Sequence, residues 1–238
     1  MMTNKSKTLN YIAIIAMFTT AAGGTLENSA IQSFIEAWPN ISTATIRLMI
    51  TLPSLVSMFV MMFIGKIVGT KASYRLVTIA GFGCMLIGGV VPFFIHSSWF
   101  IVLAFRTLLG VGVGFFSVRN PLLMRSIPTT DLARFIGLGG MAGSLCSVIM
   151  NPLVGWLTTL GWQYAFLSNL MVLIPGILAF FFLKEPEATI EVQEVSTQNK
   201  FPFPKQVYFY IIIQFLATMS LYPMLSGIST YLTEIDIA

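Results

Sequence analysis

Long apolar tracts, broken by short polar and basic segments, set the pattern of this chain. Thr8 to Leu26 carries no charge over 19 residues, and Leu48 to Gly65 none over 18. Leu76 to Phe105 is charge-free for 30 residues, and after Arg106 the apolar run resumes from Thr107 to Val118. That tract is too long for one spanning helix, which needs about 20 apolar residues. Pro92 and His96-Ser97-Ser98 divide it into two. Phe135 to Leu183 is uncharged for 49 residues and divides at Thr158-Thr159-Leu160-Gly161. Gln206 to Thr233 is the last such run. The pattern predicts seven helical spans, at 9–32, 46–66, 75–96, 98–120, 134–158, 161–183 and 206–231. A membrane barrel would instead show short segments alternating with period two.

Composition strengthens this reading. Hydrophobic residues make up 56% of the 238 positions and charged residues 9%, where a soluble domain carries roughly 25%. The mean hydropathy is +0.84. These values exclude a soluble globule, a disordered chain, a nucleic-acid binder and a disulfide scaffold, and they call for a lipid bilayer as partner. The formal charge of +4 reflects topology. With the N-terminus inside, Lys5, Lys7, Lys66, Lys71, Arg75, Arg119, Arg125, Arg134, Lys184, Lys200 and Lys205 all fall on the cytoplasmic side. Arg47 is outside and Arg106 lies within a span, a strong positive-inside bias. The expectation is a multi-pass protein of the cell membrane with a cytoplasmic N-terminus. The first apolar run is too long for a cleavable signal and reads as an uncleaved helix. Cys84 and Cys146 fall inside spans and read as packing residues.

Four regions follow: a cytoplasmic N-terminus at 1–8, a six-helix transmembrane bundle at 9–184, a cytoplasmic linker at 185–204, and a seventh helix with its outer tail at 205–238. The linker is polar and acidic from Glu185 to Lys200, then stiff at Phe201-Pro-Phe-Pro204. The expected fold class is all-α and integral to the membrane. The lone helix after a linker reads as the start of a second unit, as if the chain had been cut.

Polar residues inside spans mark candidate chemistry. Arg106 lies about eight residues into the fourth span, roughly 12 Å below the outer boundary. A charge at that depth is costly and should face a polar interior with a partner. Its bland alternative is an Arg that ties helices together through backbone carbonyls. Glu27 is the acid of the first span and the natural partner for Arg106. In a partly dehydrated cavity it suits proton coupling; the alternative is an interfacial acid facing outer water. Gly24, Asn28 and Gln32 share one face if this span is a regular helix, lining a cavity or making interhelical hydrogen bonds. Arg106, Gly110 and Gly114 are spaced by four, as small residues that let helices approach. Gly140, Ser144, Ser147, Asn151 and Gly155 form a second such row, and Pro152 and Pro175-Gly176 should kink their helices. His96 stands alone, so no metal site is expected. No nucleophile set, phosphate loop or dinucleotide motif is present, which argues against an enzyme and against a cofactor.

The fourth span, Phe105-Arg106-Thr-Leu-Leu-Gly110-Val-Gly112-Val-Gly114, resembles the Arg-and-glycine motif of the major facilitator superfamily, associated there with proton coupling. Gly65-Lys66-Ile-Val-Gly-Thr-Lys-Ala-Ser-Tyr-Arg75 is similar to that family's gating loop, Gly-x-Leu-Ala-Asp-Arg-x-Gly-Arg-Arg. Gly65, the basic character and roughly Arg75 agree, while Gly69 replaces the acid. Asn151-Pro152-Leu-Val-Gly155-Trp156 matches Pro152 and Gly155 of the exporters' Gly-Pro-x-x-Gly-Gly. Gly161-Trp162-Gln-Tyr164-Ala-Phe166 resembles the family's opening of the sixth span, Gly-Trp-Arg-Trp-x-Phe. Leu26-Glu27-Asn28-Ser-Ala-Ile31 resembles the Leu-Asp-x-Thr stretch of drug exporters. The resemblance covers residues 9–184, which by it form the N-terminal six-helix bundle.

The resemblance implies a secondary transporter, with proton-coupled efflux of small apolar compounds by alternating access as the first expectation. An importer of a small metabolite or anion, with Arg106 as the anion's partner, is the second. A truncated, inert transporter fragment is the third, since one bundle supplies half a cavity wall; a C-terminal half or a homodimer would complete it. A seven-helix receptor is rejected because the charge bias places the N-terminus inside.

Overall fold

The computed structural model describes residues 4–20, 23, 26–185 and 207–220, with side chains from residue 8 onward. The helices are α1 (Asn4–Thr19), α2 (Ile31–Ala37), α3 (Thr43–Ile46), α4 (Leu48–Ile67), α5 (Tyr74–Phe94), α6 (Trp99–Phe115), α7 (Arg119–Ser126), α8 (Thr129–Leu160), α9 (Leu173–Phe182) and α10 (Val207–Ser220). Three 3₁₀ segments join them, at Leu26–Ala30, Phe116–Val118 and Trp162–Val172. Among the described residues the sole β feature is an isolated bridge between Val68 and Ala72. Among the described residues, five helical stretches are long and apolar enough to cross a membrane: Leu48–Ile67, Tyr74–Phe94, Trp99–Ser126, Thr129–Leu160 and Trp162–Phe182. Thr8–Thr19 and Val207–Ser220 are shorter apolar helices. The chain divides into two units, 1–186 and 187–238. Most of the expected 185–204 linker and the tail after 220 lie outside the described residues.

The first expected span is where the chain departs most from a regular helix. A single helix over 9–32 is not what forms. α1 stops at Thr19, where the hydroxyls of Thr19 and Thr20 donate to the carbonyls of Ala16 and Met17 at 2.7 and 2.6 Å. Such back-bonding competes with the helical ladder, and Gly23 and Gly24 follow with low helix propensity. The chain resumes as a 3₁₀ segment and then α2. Broken helices at membrane depth persist where they are buried in protein, and here Leu26, Glu27 and Ala30 are buried.

α6 is the central helix, packed against α4 on one side and α5 on the other. Glycines set both contacts. A Cβ on Gly110 would lie 2.6 Å from the Pro53 carbonyl oxygen, and one on Gly114 would lie 2.6 Å from Val60 Cβ. Toward α5, a Cβ on Gly112 would meet Met85, and one on Gly88 would run into the backbone of Leu109. The fourth span also continues beyond the expected residue 120, through a 3₁₀ turn into α7.

α8 runs unbroken from 129 to 160 with Pro152 inside it. The expected packing row on this helix is misplaced. A Cβ on Gly140 or Gly155 would meet nothing within 4 Å, and Asn151 is exposed. The glycines one residue earlier and three residues later, Gly139 and Gly143, pack against Phe18 instead. Pro175 sits in the first turn of α9, just after the 3₁₀ segment gives way to α-helix.

Two apolar clusters fill the bundle. One joins Ile14, Met17, Phe82, Met85, Phe116 and Val172. The other joins Leu26, Phe34, Met49, Trp99, Val102 and Phe166. Around the second cluster, Trp38, Trp99 and Trp162 interlock, with ring centroids 5.4 Å apart for Trp38–Trp99 and 4.4 Å for Trp38–Trp162.

Candidate functional site

Between the two clusters lies a fully buried polar centre. Arg106 of α6 is 0% exposed and Glu27 of the 3₁₀ segment 1%. Arg106 Nη1 donates to Glu27 Oε1 at 2.6 Å. Arg106 Nε donates to the Met49 carbonyl of α4 at 3.1 Å. Arg106 thus pairs with an acid and also ties α4 through a backbone carbonyl. Glu27 is buried and does not face water.

The third member is Asn169, which the spacing arguments passed over. Its Nδ2 donates to Glu27 Oε1 at 2.8 Å and to the Phe166 carbonyl at 3.3 Å. Because the facing atom is a carboxylate oxygen, the amide must present its nitrogen there. Asn169 is positioned by the 3₁₀ pitch of Trp162–Val172, in which residues three apart stack. Phe166, Asn169 and Val172 form such a column and are all buried. Phe166 belongs to one apolar cluster and Val172 to the other, which places the amide between them. The signal for Asn169 was a lone carboxamide in the middle of the sixth apolar span, whereas Gln163 sits at that span's edge.

The centre is incompletely satisfied. Glu27 Oε2, Arg106 Nη2 and Asn169 Oδ1 are buried without a hydrogen-bond partner among the described residues, as is Asn28 Oδ1. A buried polar atom left unpaired carries a desolvation cost, so each of these atoms calls for a reason to be there.

The remaining candidates stand apart from the pair. Asn28 is half-buried beside Glu27. Gln32 donates to Glu36 Oε1 on the exposed side of α2 at 3.2 Å. Gly24 lies outside the described residues. Asn28 and Gln32 do not share the expected face, because the 3₁₀ turn through residues 26–30 rotates each residue by about 120° rather than 100°. Asn151 makes no contact with the centre.

The expected gating loop lies at the far end of α4, about 24 Å along the helix from Met49. Gly65 and Lys66 are exposed on its last turn. Gly69 has φ +79°, a left-handed turn that explains glycine where the motif has an acid. Its N–H donates to the Ala72 carbonyl at 2.8 Å. Arg75 Nη2 donates to the Phe180 carbonyl at 2.8 Å. Glu185, also missed from sequence, accepts the N–H groups of Tyr74 and Arg75 at 2.8 and 3.0 Å, and so caps α5. Next to it, the Lys184 N–H donates to Asn10 Oδ1 at 3.0 Å. Among the described residues no group of three or more His, Cys, Asp or Glu is placed to hold a metal ion.

A bundle of membrane-length apolar helices around a buried Arg–Glu pair defines a multi-pass membrane protein. The family model of the Major Facilitator Superfamily matches residues 12–238, and the chain belongs to that superfamily. The chain is 33% identical over 82 residues to "Transcription regulatory protein OpdE" of Pseudomonas aeruginosa, across 34% of this chain and 20% of that protein. It is 29% identical over 119 residues to "Probable anion transporter 6, chloroplastic" of Arabidopsis thaliana, across 48% of this chain and 21% of that protein. The matched stretches thus span about a fifth of either relative's length.

Proposed function

We propose that the protein is a proton-coupled secondary transporter, with the Glu27–Arg106 pair as its coupling centre. The observation that carries this reading is a fully buried ion pair, bridging a broken first span and the central helix α6. Removing one charge from such a pair leaves the other uncompensated, at a cost of about 3–5 kcal/mol. Protonation of Glu27 is a reversible way to do so. It frees Arg106 to take another partner and gives the bundle a reason to change state. A charge pair kept purely for stability would be a poor choice, since apolar residues of similar volume are often as good.

Transport by this superfamily rocks two helical repeats about a midplane site. Residues 9–184 supply one repeat, and a C-terminal half or a second copy completes the cavity. The N-terminus is cytoplasmic and the protein lies in the cell membrane, on the strength of the Lys and Arg distribution. Efflux of small apolar compounds is the favoured direction, supported by Pro152 and Gly155 of the exporter-like motif.

The test uses everted membrane vesicles from cells producing the protein, with an imposed inside-acid gradient and a panel of lipophilic fluorescent dyes. Gradient-driven accumulation that disappears in Glu27→Gln supports the reading. Accumulation that survives the substitution excludes Glu27 as the coupling group.

A second reading is import of a small organic anion. It is favoured by Arg106 Nη2, which has no partner among the described residues, and by the name of the Arabidopsis relative, an anion transporter. Proton-driven uptake of small carboxylates, with no dye accumulation, distinguishes it.

A further inference from the structure

We infer that Asn169 is the positioning residue that receives Glu27 in its protonated form, as a two-hydrogen-bond acid–amide pair, and thereby releases Arg106. The inference rests on Glu27 being the proton acceptor of the proposed function. In the ionised state one oxygen, Oε1, accepts from both Arg106 Nη1 and Asn169 Nδ2. The second carboxylate oxygen and the amide oxygen of Asn169 are both buried and both without a partner among the described residues. The two residues already share one N–H···O bond. A carboxylic acid and a primary carboxamide joined by one such bond hold the complementary atoms for a second. A proton arriving on Glu27 Oε2 forms an O–H bond there and donates to Asn169 Oδ1, while Nδ2–H continues to donate to Oε1. Both orphaned oxygens are satisfied in one step, which an unpaired neutral acid would not achieve. Arg106 keeps its bond to the Met49 carbonyl and loses its ionic partner, so both terminal nitrogens become available.

Among the described residues, the side-chain partners of Glu27 are Arg106 and Asn169. Glu36 of α2, which packs on the same 3₁₀ segment, accepts instead from Gln32 on the exposed side. From α6, Arg106 is the charged group in contact with Glu27. α4 contributes the Met49 carbonyl. α5 presents Gly89 to Asn169 and carries Tyr74, Arg75 and Cys84 in its first three turns. α8 carries Asp131 and Arg134 near its start, and its Cys146 contacts Met171. Asn28, the neighbour of Glu27 in sequence, is uncharged.

The test is acid-minus-neutral infrared difference spectroscopy of the full chain in liposomes, which requires no substrate. A carboxylic C=O band that appears on acidification and is lost in Glu27→Gln belongs to Glu27. In the expected result Asn169→Leu moves that band to higher wavenumber, as hydrogen bonds to the neutral acid are lost. If Asn169→Leu fails to fold, the wild-type chain labelled with ¹³C at the asparagine side-chain carbonyl serves instead. Its labelled amide band should shift to lower wavenumber on acidification, and should not do so in Glu27→Gln. A Glu27 band that is unmoved by Asn169→Leu, or a labelled amide that does not respond, overturns the pair and leaves the proton reading intact. Absence of any Glu27-dependent band overturns the proton reading and this inference with it.

Discussion

A Cβ on Gly89 would lie 2.5 Å from Cγ of Asn169, so a glycine at 89 is what allows the carboxamide to reach Glu27. The relationship spans two elements, α5 and the 3₁₀ segment before α9. Gly89→Ala should displace Asn169 and destabilise the bundle by about 1–3 kcal/mol, the range for overpacking. Gly83→Ala on the same helix is the control, since a Cβ there meets nothing within 4 Å. The check is the unfolding midpoint of each variant in mixed micelles. Equal midpoints would show that the contact at Gly89 is soft.

The buried pair should show strong coupling. Arg106→Leu leaves a carboxylate without its ion partner, and a loss of about 3–5 kcal/mol is expected. Arg106→Leu combined with Glu27→Leu should cost less than the sum of the single changes, because no lone charge remains. A double-mutant cycle on unfolding free energy measures this directly. Additive losses would mean that the two side chains do not depend on each other.

Glycines on α6 and α8 should behave oppositely. Gly110→Ala and Gly114→Ala press a methyl into the backbone or side chains of α4 and should lower stability. Gly140→Ala and Gly155→Ala meet open space. They should raise helix stability by up to about 1 kcal/mol, the difference in propensity between the two residues. Thermal unfolding of the four variants of this chain decides. A reversed order would place the helix contacts elsewhere.

Glu185 should act as a cap. Glu185→Ala removes the acceptor for the Tyr74 and Arg75 N–H groups and should cost about 1 kcal/mol. Amide hydrogen exchange at Tyr74 and Arg75 should quicken by about fivefold, with Glu185→Gln intermediate. Unchanged exchange at these two amides would rule out the cap.

That this is a polytopic helical membrane protein, and that Arg106 needs a polar partner, was legible in the amino-acid sequence. Both follow from properties that accumulate along the chain: apolar run length, basic residues between runs, and the cost of a charge in hydrocarbon. Glu27 was visible as the acid at matching depth, and the family motifs were legible around Arg106 and the sixth-span opening. The rest depended on how the elements pack. Residue spacing assumes a regular helical pitch, and that assumption fails at residues 26–30 and 162–172, where 3₁₀ turns redirect the side chains. Asn28 and Gln32 therefore part company, and Asn169 arrives at Glu27 unannounced. The α8 row failed for a related reason. A stripe of small residues says which faces can approach a neighbour, but not which does, and it was Phe18 that selected Gly139 and Gly143 over Gly140 and Gly155. Which polar atoms stay unpaired is likewise a property of three elements meeting. No single stretch of the chain contains Glu27, Arg106 and Asn169 together.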